Sequence, residues 1–396
     1  MSNATAETST LASERHPGGL MNADPLPLAG DVVSASLIAT VSREDTSLLY
    51  ANVNLPLIPA FDVEIYKISY FTTDEQGALV NASGALVVPT DLGHPAPLVS
   101  YQHGTTTLSW DVASTAPAAG QQYRRIDALL FGSAGYVTAL PDYLGYGDTA
   151  HRFHPYLHAA TLASSVVDLL KGARSFCAAH NITLSGKLFL AGYSEGGYAT
   201  MAATKAIQEN HPDLSITASA PMAGPYDLST SLQEILRTDS YPGAGYLAFA
   251  FWAYDKVYSL NLLDQVILPS FASQLDAIFD GSRRLVEDDV PVLPNEIPAL
   301  FHRDFLAEFV GNGCERLKSR IRENDLHNWA PAVPLRLIHS RSDDIVHFHN
   351  SLTAYRNFST GGGNVVDLLE PPSEGSHSEC SLPSLLQAKA WFDTLI

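Results

Sequence analysis

Five residues, Gly192-Tyr193-Ser194-Glu195-Gly196, carry the strongest chemical signal in the chain. They follow the apolar run Lys187-Leu188-Phe189-Leu190-Ala191 and lead into the helical stretch Gly197-Tyr198-Ala199-Thr200-Met201. A serine at a tight strand-to-helix turn needs small residues two places before and two places after it, because the turn is crowded and strained. Such a turn lifts the hydroxyl clear of the backbone, and the helix N-terminus aims its free N–H groups at whatever reacts there. The competing explanation is a chance glycine-rich turn with an ordinary serine, and the strand–turn–helix context counts against it.

A serine hydroxyl is a weak nucleophile, so it needs a base and the base needs an orienting group. At turns of this kind the partners follow in the order serine, acid, histidine. Past Leu335-Arg336-Leu337-Ile338-His339 stands Ser340-Arg341-Ser342-Asp343-Asp344, which makes Asp343 the expected orienting acid. Asp344 is the alternative, since spacing does not separate adjacent carboxylates, and both could instead cap a helix beginning near His347. His377, in the loop Glu370–Ser378 after the last expected strand, is the expected base. His347 and His349 lie nearer to Asp343 in the chain but belong to the helix that follows it. A developing oxyanion needs two N–H donors. Glu195, directly after the serine, supplies one, and Thr105 in Tyr101-Gln102-His103-Gly104-Thr105-Thr106 the other, with Gly104 next in line.

The elements that would position these residues alternate in type. Short apolar runs at 97–101, 136–140, 187–191, 216–220, 335–339 and 365–369 are separated mostly by helical patterns, among them 121–133, 158–179, 196–208, 347–358 and 382–394. Strands that alternate with helices predict a mostly parallel sheet covered on both faces, an α/β fold. Two strands with turn-rich boundaries precede them, at 63–70 and 84–89. Residues 225–330 break the rhythm: they look mostly helical and hold no clear core strand, so they read as an insertion. The expected organisation is a flexible leader over 1–30, a core of 31–224 and 331–396, and a helical cap over 225–330. The apolar run Tyr246–Tyr254 inside the insertion forms either the seam between cap and core or the lining of a pocket. The segment Asp142–Gly147 is expected to brace the His103–Thr106 loop.

The chain has 396 residues, and 23 Lys+Arg against 42 Asp+Glu give a net charge of −19. A surface this acidic repels phosphate backbones and anionic headgroups, which excludes nucleic acid as a partner. No apolar run reaches the ~18 residues of a membrane span. The first thirty residues show no basic start and no apolar core of a signal peptide, which points to the cytoplasm. Three cysteines, Cys177, Cys314 and Cys380, are too few for a disulfide framework, although one Cys314–Cys380 bridge is allowed. No metal site is expected. His154 and His158 have helical zinc-pair spacing, but Pro155 stands where H-E-x-x-H has its glutamate. Gly145-x-Gly147 is too short for a phosphate loop, and Gly361-Gly362-Gly363 reads as a turn.

With those residues in view, the chain resembles the α/β-hydrolases, and within them the secretory-lipase branch of Candida lipase A and its bacterial relatives. The resemblance spans roughly residues 35–396. It rests on Tyr101–Thr105, Pro141–Gly147, His154-Pro155-Tyr156-Leu157-His158, Gly192–Gly197 and the Asp343/His377 pair. It implies an α/β-hydrolase fold, carboxylic-ester hydrolysis without a cofactor, a helical cap over the site and, for secreted members, an extracellular location. The expected substrate is a small-molecule ester with a short- to medium-chain acyl group. Two other functions use the same features: a serine peptidase or acyltransferase, in which Glu287, Asp288 and Asp289 could hold a free amine, and a non-catalytic binding protein that keeps the fold.

Overall fold

The computed structural model describes residues 26–115, 122–287, 290–362 and 366–396. Residues 1–25 of the expected leader therefore lie outside the described residues, as do Asp288, Asp289, Gly363 and Val365. Short all-apolar segments become central strands because a strand buried on both faces has no reason to alternate. Ala96–Gln102 (β4), Val137–Pro141 (β5) and Ala218–Met222 (β7) are buried at every position. Leu184–Tyr193 (β6) is buried over its last six residues, those leading to Ser194.

Two longer strands, Val63–Thr73 (β2) and Leu79–Pro89 (β3), form an antiparallel hairpin in register from Val63↔Pro89 to Thr73↔Leu79. With Val32–Val41 (β1), Leu335–Ile338 (β10) and Val366–Leu369 (β11), they complete a nine-stranded sheet in the order β1-β2-β3-β5-β4-β6-β7-β10-β11. The first three neighbour pairs are antiparallel and the others parallel. Sequence patterning placed the first strand at Val63 and missed β1. That strand is an edge that pairs only with β2 and is exposed over most of its length, so it carries no core-facing alternation. The helix Arg43–Asn52, with Ser42 accepting from the Asp45 N–H as its cap, is a second unanticipated element.

Helices cover both faces, as the α/β pattern requires. Ala159–Ala179 and Glu195–Asn210 pack into one apolar cluster, and Gln122–Gly132 and Ser381–Asp393 into the other. Residues 26–30, assigned to the leader, include an ordered turn in which Gly30 N–H donates to the Phe71 carbonyl at 2.7 Å. All three cysteines are free, so the Cys314–Cys380 bridge is not formed. No helix among the described residues is long and apolar enough to cross a membrane.

Between β7 and β10 the described chain adds no strand to the main sheet. It forms a series of helices, chief among them Leu228–Ile235, Ala244–Tyr258, Arg303–Val310 and Glu315–Glu323, and a small hairpin of Val286–Glu287 (β8) with Val290–Pro291 (β9). Helix Ala244–Tyr258 is apolar nearly all round, the mark of a helix buried on every side. Phe249 stacks on Phe279 and on Tyr156 at 4.5 and 4.6 Å, while Phe251 meets Phe301, Phe305 and Phe309 edge-on. Tyr246, Leu247, Ala250 and Tyr254 of the same helix line a cavity beside Ser194. The Tyr246–Tyr254 run is thus a packing seam on one side and a pocket wall on the other.

Under the opposite face, Phe189 of β6 is fully buried and stacks on Phe392 at 4.6 Å. Phe189→Ala is expected to destabilise the protein by ~3–5 kcal/mol, the usual cost of removing a buried phenyl ring. Urea unfolding should show a lower midpoint with an unchanged slope.

Candidate active site

Ser194 sits between the end of β6 and helix Glu195–Asn210 with φ 62° and ψ −124°, a conformation L-residues avoid. Holding it costs of order 1–3 kcal/mol, which the surroundings must offset. Ser194 N–H donates to the Met222 carbonyl at 2.9 Å, and its own carbonyl accepts from Tyr198 N–H at 3.0 Å. Close approach explains the glycines. A Cβ on Gly196 would strike the Gln102 carbonyl at the end of β4, and one on Gly197 the Met222 carbonyl at the end of β7. The C-terminal ends of three parallel strands therefore converge on one serine.

The structure brings Ser194, His377 and Asp343 together in a chain of hydrogen bonds. Ser194 Oγ lies 2.8 Å from His377 Nε2, and His377 Nδ1 lies 2.7 Å from Asp343 Oδ2. An ionised carboxylate can only accept, so Nδ1 carries the proton and Nε2 is left to accept from the serine. Of the two adjacent acids, Asp343 meets the ring. Asp344 instead accepts the backbone N–H of His377 at 3.0 Å, and Tyr193 OH donates to the His377 carbonyl at 2.7 Å. The loop that carries the histidine is thereby held from both sides.

Asp343 is buried, which by itself would favour the protonated acid, yet its carboxyl is held well below the usual carboxylate range. Hydrogen bonds from His339 and His377, together with their positive charge when protonated, outweigh the burial. Its other oxygen accepts the N–H groups of Ile345 and Val346 at 3.0 and 2.8 Å. His339 is a partner that sequence reasoning missed. Its Nδ1 accepts from Ser351 at 2.8 Å, which puts the proton on Nε2, shared between the Val346 carbonyl at 2.7 Å and Asp343 Oδ2 at 3.2 Å. His339 directly follows β10, four residues before the acid, a spacing that could have drawn attention to it.

The His103–Thr106 loop runs past the serine closely enough that a Cβ on Gly104 would lie 3.3 Å from the Tyr193 carbonyl and 3.8 Å from Ser194 Cβ. Tyr143 and Tyr146 donate their hydroxyls to the carbonyls of His103 and Thr106, which is the bracing expected of Asp142–Gly147. Asp142 is fully buried, and burial raises its pKa against the hydroxyls of Ser114 and Ser83 that donate to it. Thr105 Oγ1 meets Tyr156 OH at 3.0 Å.

Glu195 entered the sequence reading only through its N–H, but its side chain is buried and lies 2.7 Å from His154 Nε2. His154 Nδ1 donates to the Leu144 carbonyl at 2.7 Å, so the contact between Nε2 and Glu195 holds one further proton, on the ring or on the carboxyl. The segment His154-Pro155-Tyr156 thus touches both Glu195 and Thr105. His154 and His158 turn to different partners. His158 points to Thr161 Oγ1 at 3.1 Å, and burial pushes its pKa down to about 4.

A cavity of about 590 Å³ opens over Ser194 and His377. Leu228, Leu232, Ile235, Leu247 and Tyr254 supply much of its apolar wall, with Gly104, Thr105 and Glu195 beside the serine. A hydroxyl bonded to an imidazole that is bonded to a buried carboxylate can surrender its proton as it attacks a carbonyl carbon. The apolar walls can hold the rest of such a molecule away from water.

Comparison with known proteins bears on the family and the fold. The secretory lipase family profile matches residues 122–394, well over half of the chain. No curated protein sequence matches the chain. Among solved structures, a putative hydrolase from Legionella pneumophila is 28% identical with a TM-score of 0.85, over 92% of this chain and 98% of that one. The rice cell wall degrading esterase LipA from Xanthomonas oryzae is 27% identical with a TM-score of 0.81, over 92% and 97%. Candida antarctica lipase A in its closed state shares the fold at 17% identity and a TM-score of 0.67, over 93% and 83%. The chain belongs to the secretory lipase family, has the α/β-hydrolase fold, and is a carboxylic ester hydrolase.

Proposed function

We propose that the chain hydrolyses short- to medium-chain acyl esters through an acyl-enzyme on Ser194. Ser194 attacks the ester carbonyl while His377 takes its proton and returns it to the leaving alcohol. Asp343 keeps the proton of the neutral ring on Nδ1 and stabilises the imidazolium that forms. The N–H groups of Glu195 and Thr105 hold the oxyanion, each contributing ~3–4 kcal/mol at the transition state. Water activated by His377 then releases the acid. The observation that carries this reading is the unbroken Ser194–His377–Asp343 chain at 2.8 and 2.7 Å, opening onto a cavity.

Residues 225–330 act in this reading as a cap on a core of 31–224 and 331–396. Support comes from the cavity walls, where Leu228, Leu232, Ile235, Leu247 and Tyr254 of the insertion line the same cavity as Ser194 and His377. Each methylene an acyl chain buries there contributes ~0.8 kcal/mol until the space is filled. A cavity of about 590 Å³ is in the ordinary range for small-molecule sites.

Four expected outcomes test the proposal. Ser194→Ala abolishes ester hydrolysis and leaves the melting temperature close to wild type; retention of more than a few per cent of turnover removes Ser194 as the nucleophile. Asp343→Asn lowers kcat by about 10⁴, the scale of a wrong imidazole tautomer. Asp344→Asn is mild, because an amide oxygen still accepts the His377 N–H; the reverse ranking in steady-state kinetics assigns the acid to Asp344. Across nitrophenyl esters from acetate to palmitate, kcat/KM rises over the short chains and then falls. A steady climb to palmitate with activation at an oil interface rules out the chain-length preference.

A further inference from the structure

Away from the serine relay, three side chains converge where the insertion meets the segment that follows Asp343. Glu234 comes from helix Leu228–Ile235, His349 opens helix His349–Thr360, and His347 lies two residues before it. Their donor atoms all lie within 4.8 Å of one another, and Glu234 Oε2 is 3.4 Å from His349 Nδ1.

The protons around His349 are fixed by its neighbours. Asn350 Oδ1 accepts the Asp227 N–H at 3.0 Å while its Nδ2 donates to the His347 carbonyl at 3.1 Å, so the amide has one orientation. The Ser231 hydroxyl donates to Asn350 Oδ1 at 3.1 Å, which leaves Ser231 Oγ to accept from His349 Nε2 at 3.1 Å. The proton of the neutral imidazole is therefore on Nε2, and Nδ1 turns a bare lone pair toward a carboxylate. Two electron-rich atoms so placed repel unless a cation joins them. A proton would satisfy that pair alone; a metal ion also uses the His347 nitrogen beside it.

We propose that Glu234, His347 and His349 form a binding site for a divalent transition-metal ion of the zinc type. Tetrahedral zinc with bonds of about 2.0–2.1 Å keeps its donors about 3.4 Å apart, the spacing Glu234 and His349 already have. A ligating histidine ordinarily donates its other ring N–H to a fixed acceptor, and Ser231 backed by Asn350 is that acceptor. His347 also lines the cavity, and three protein donors leave the fourth position of a tetrahedral ion to water. A bound ion ties helix Leu228–Ile235, which supplies cavity wall, to the segment carrying Asp343 and Asp344. The sequence expected no metal because Glu234 is remote in the chain from the two histidines.

The test is titration of the full chain, stripped with EDTA, with zinc chloride by calorimetry, with thermal melting alongside. The wild type should bind one equivalent and melt at a higher temperature with zinc. Glu234→Gln and His349→Ala should each weaken binding by about 10-fold or more and lose the thermal shift. Glu234→Gln, at a half-exposed position, should keep its circular dichroism and its ester hydrolysis in metal-free buffer, and it decides the matter if His349→Ala fails to fold. Absence of stoichiometric binding by the wild type, or undiminished zinc affinity in Glu234→Gln, overturns the site.

Discussion

Ser194 is held in a backbone conformation that costs energy, and the ends of three core strands supply the contacts that hold it there. Its N–H is taken by the Met222 carbonyl, and Gly196 and Gly197 lie against the carbonyls of Gln102 and Met222 with no room for a side chain. Those contacts come from β4, β6 and β7, which are consecutive in the sheet, so the strain is borne by strands that are buried at the ends meeting the serine. The register that pairs Gln102 with Gly192 and Tyr193 with Met222 is what brings the strand ends level with the serine.

A second layer of constraint fixes the imidazole. Asp343 is buried and ionised, which is tolerable only because two histidines and two backbone N–H groups face it. His339 therefore helps to keep the acid ionised, and Asp344 and Tyr193 fix the backbone of His377. The neighbouring acids do different work because one carboxylate turns inward to the ring and the other reaches a backbone N–H.

The insertion supplies much of the apolar wall of the cavity beside Ser194 and His377. Helix Ala244–Tyr258 buries aromatic rings against Tyr156 and Phe279 on one side and faces the cavity on another. Tyr156 also meets Thr105, so packing of the insertion is coupled mechanically to the His103–Thr106 loop. The rim where the insertion meets the Asp343 segment is polar, held by Asp227, Ser231, His349 and Asn350.

Local chemistry made much of this legible from sequence. Gly192-Tyr193-Ser194-Glu195-Gly196 reads as a strained turn because only small residues fit two places before and after the serine, and the order serine, acid, histidine pointed to Asp343, with Asp344 as the alternative, and to His377, which the fold joins in one chain with the serine. The alternating short apolar runs determined the α/β class, since strands buried on both faces need no polar partner positions. β1 and the helix Arg43–Asn52 escaped because an exposed edge strand and a surface helix carry little periodic signal. Side-chain partnerships across distant segments escaped for a different reason. That Glu195 meets His154, that His339 shares Asp343 with His377, that Asp343 rather than Asp344 faces the ring, and that Glu234 lies beside His349 depend on how elements far apart in the chain pack. Spacing along the chain carries no record of those distances; only the tertiary structure decided them.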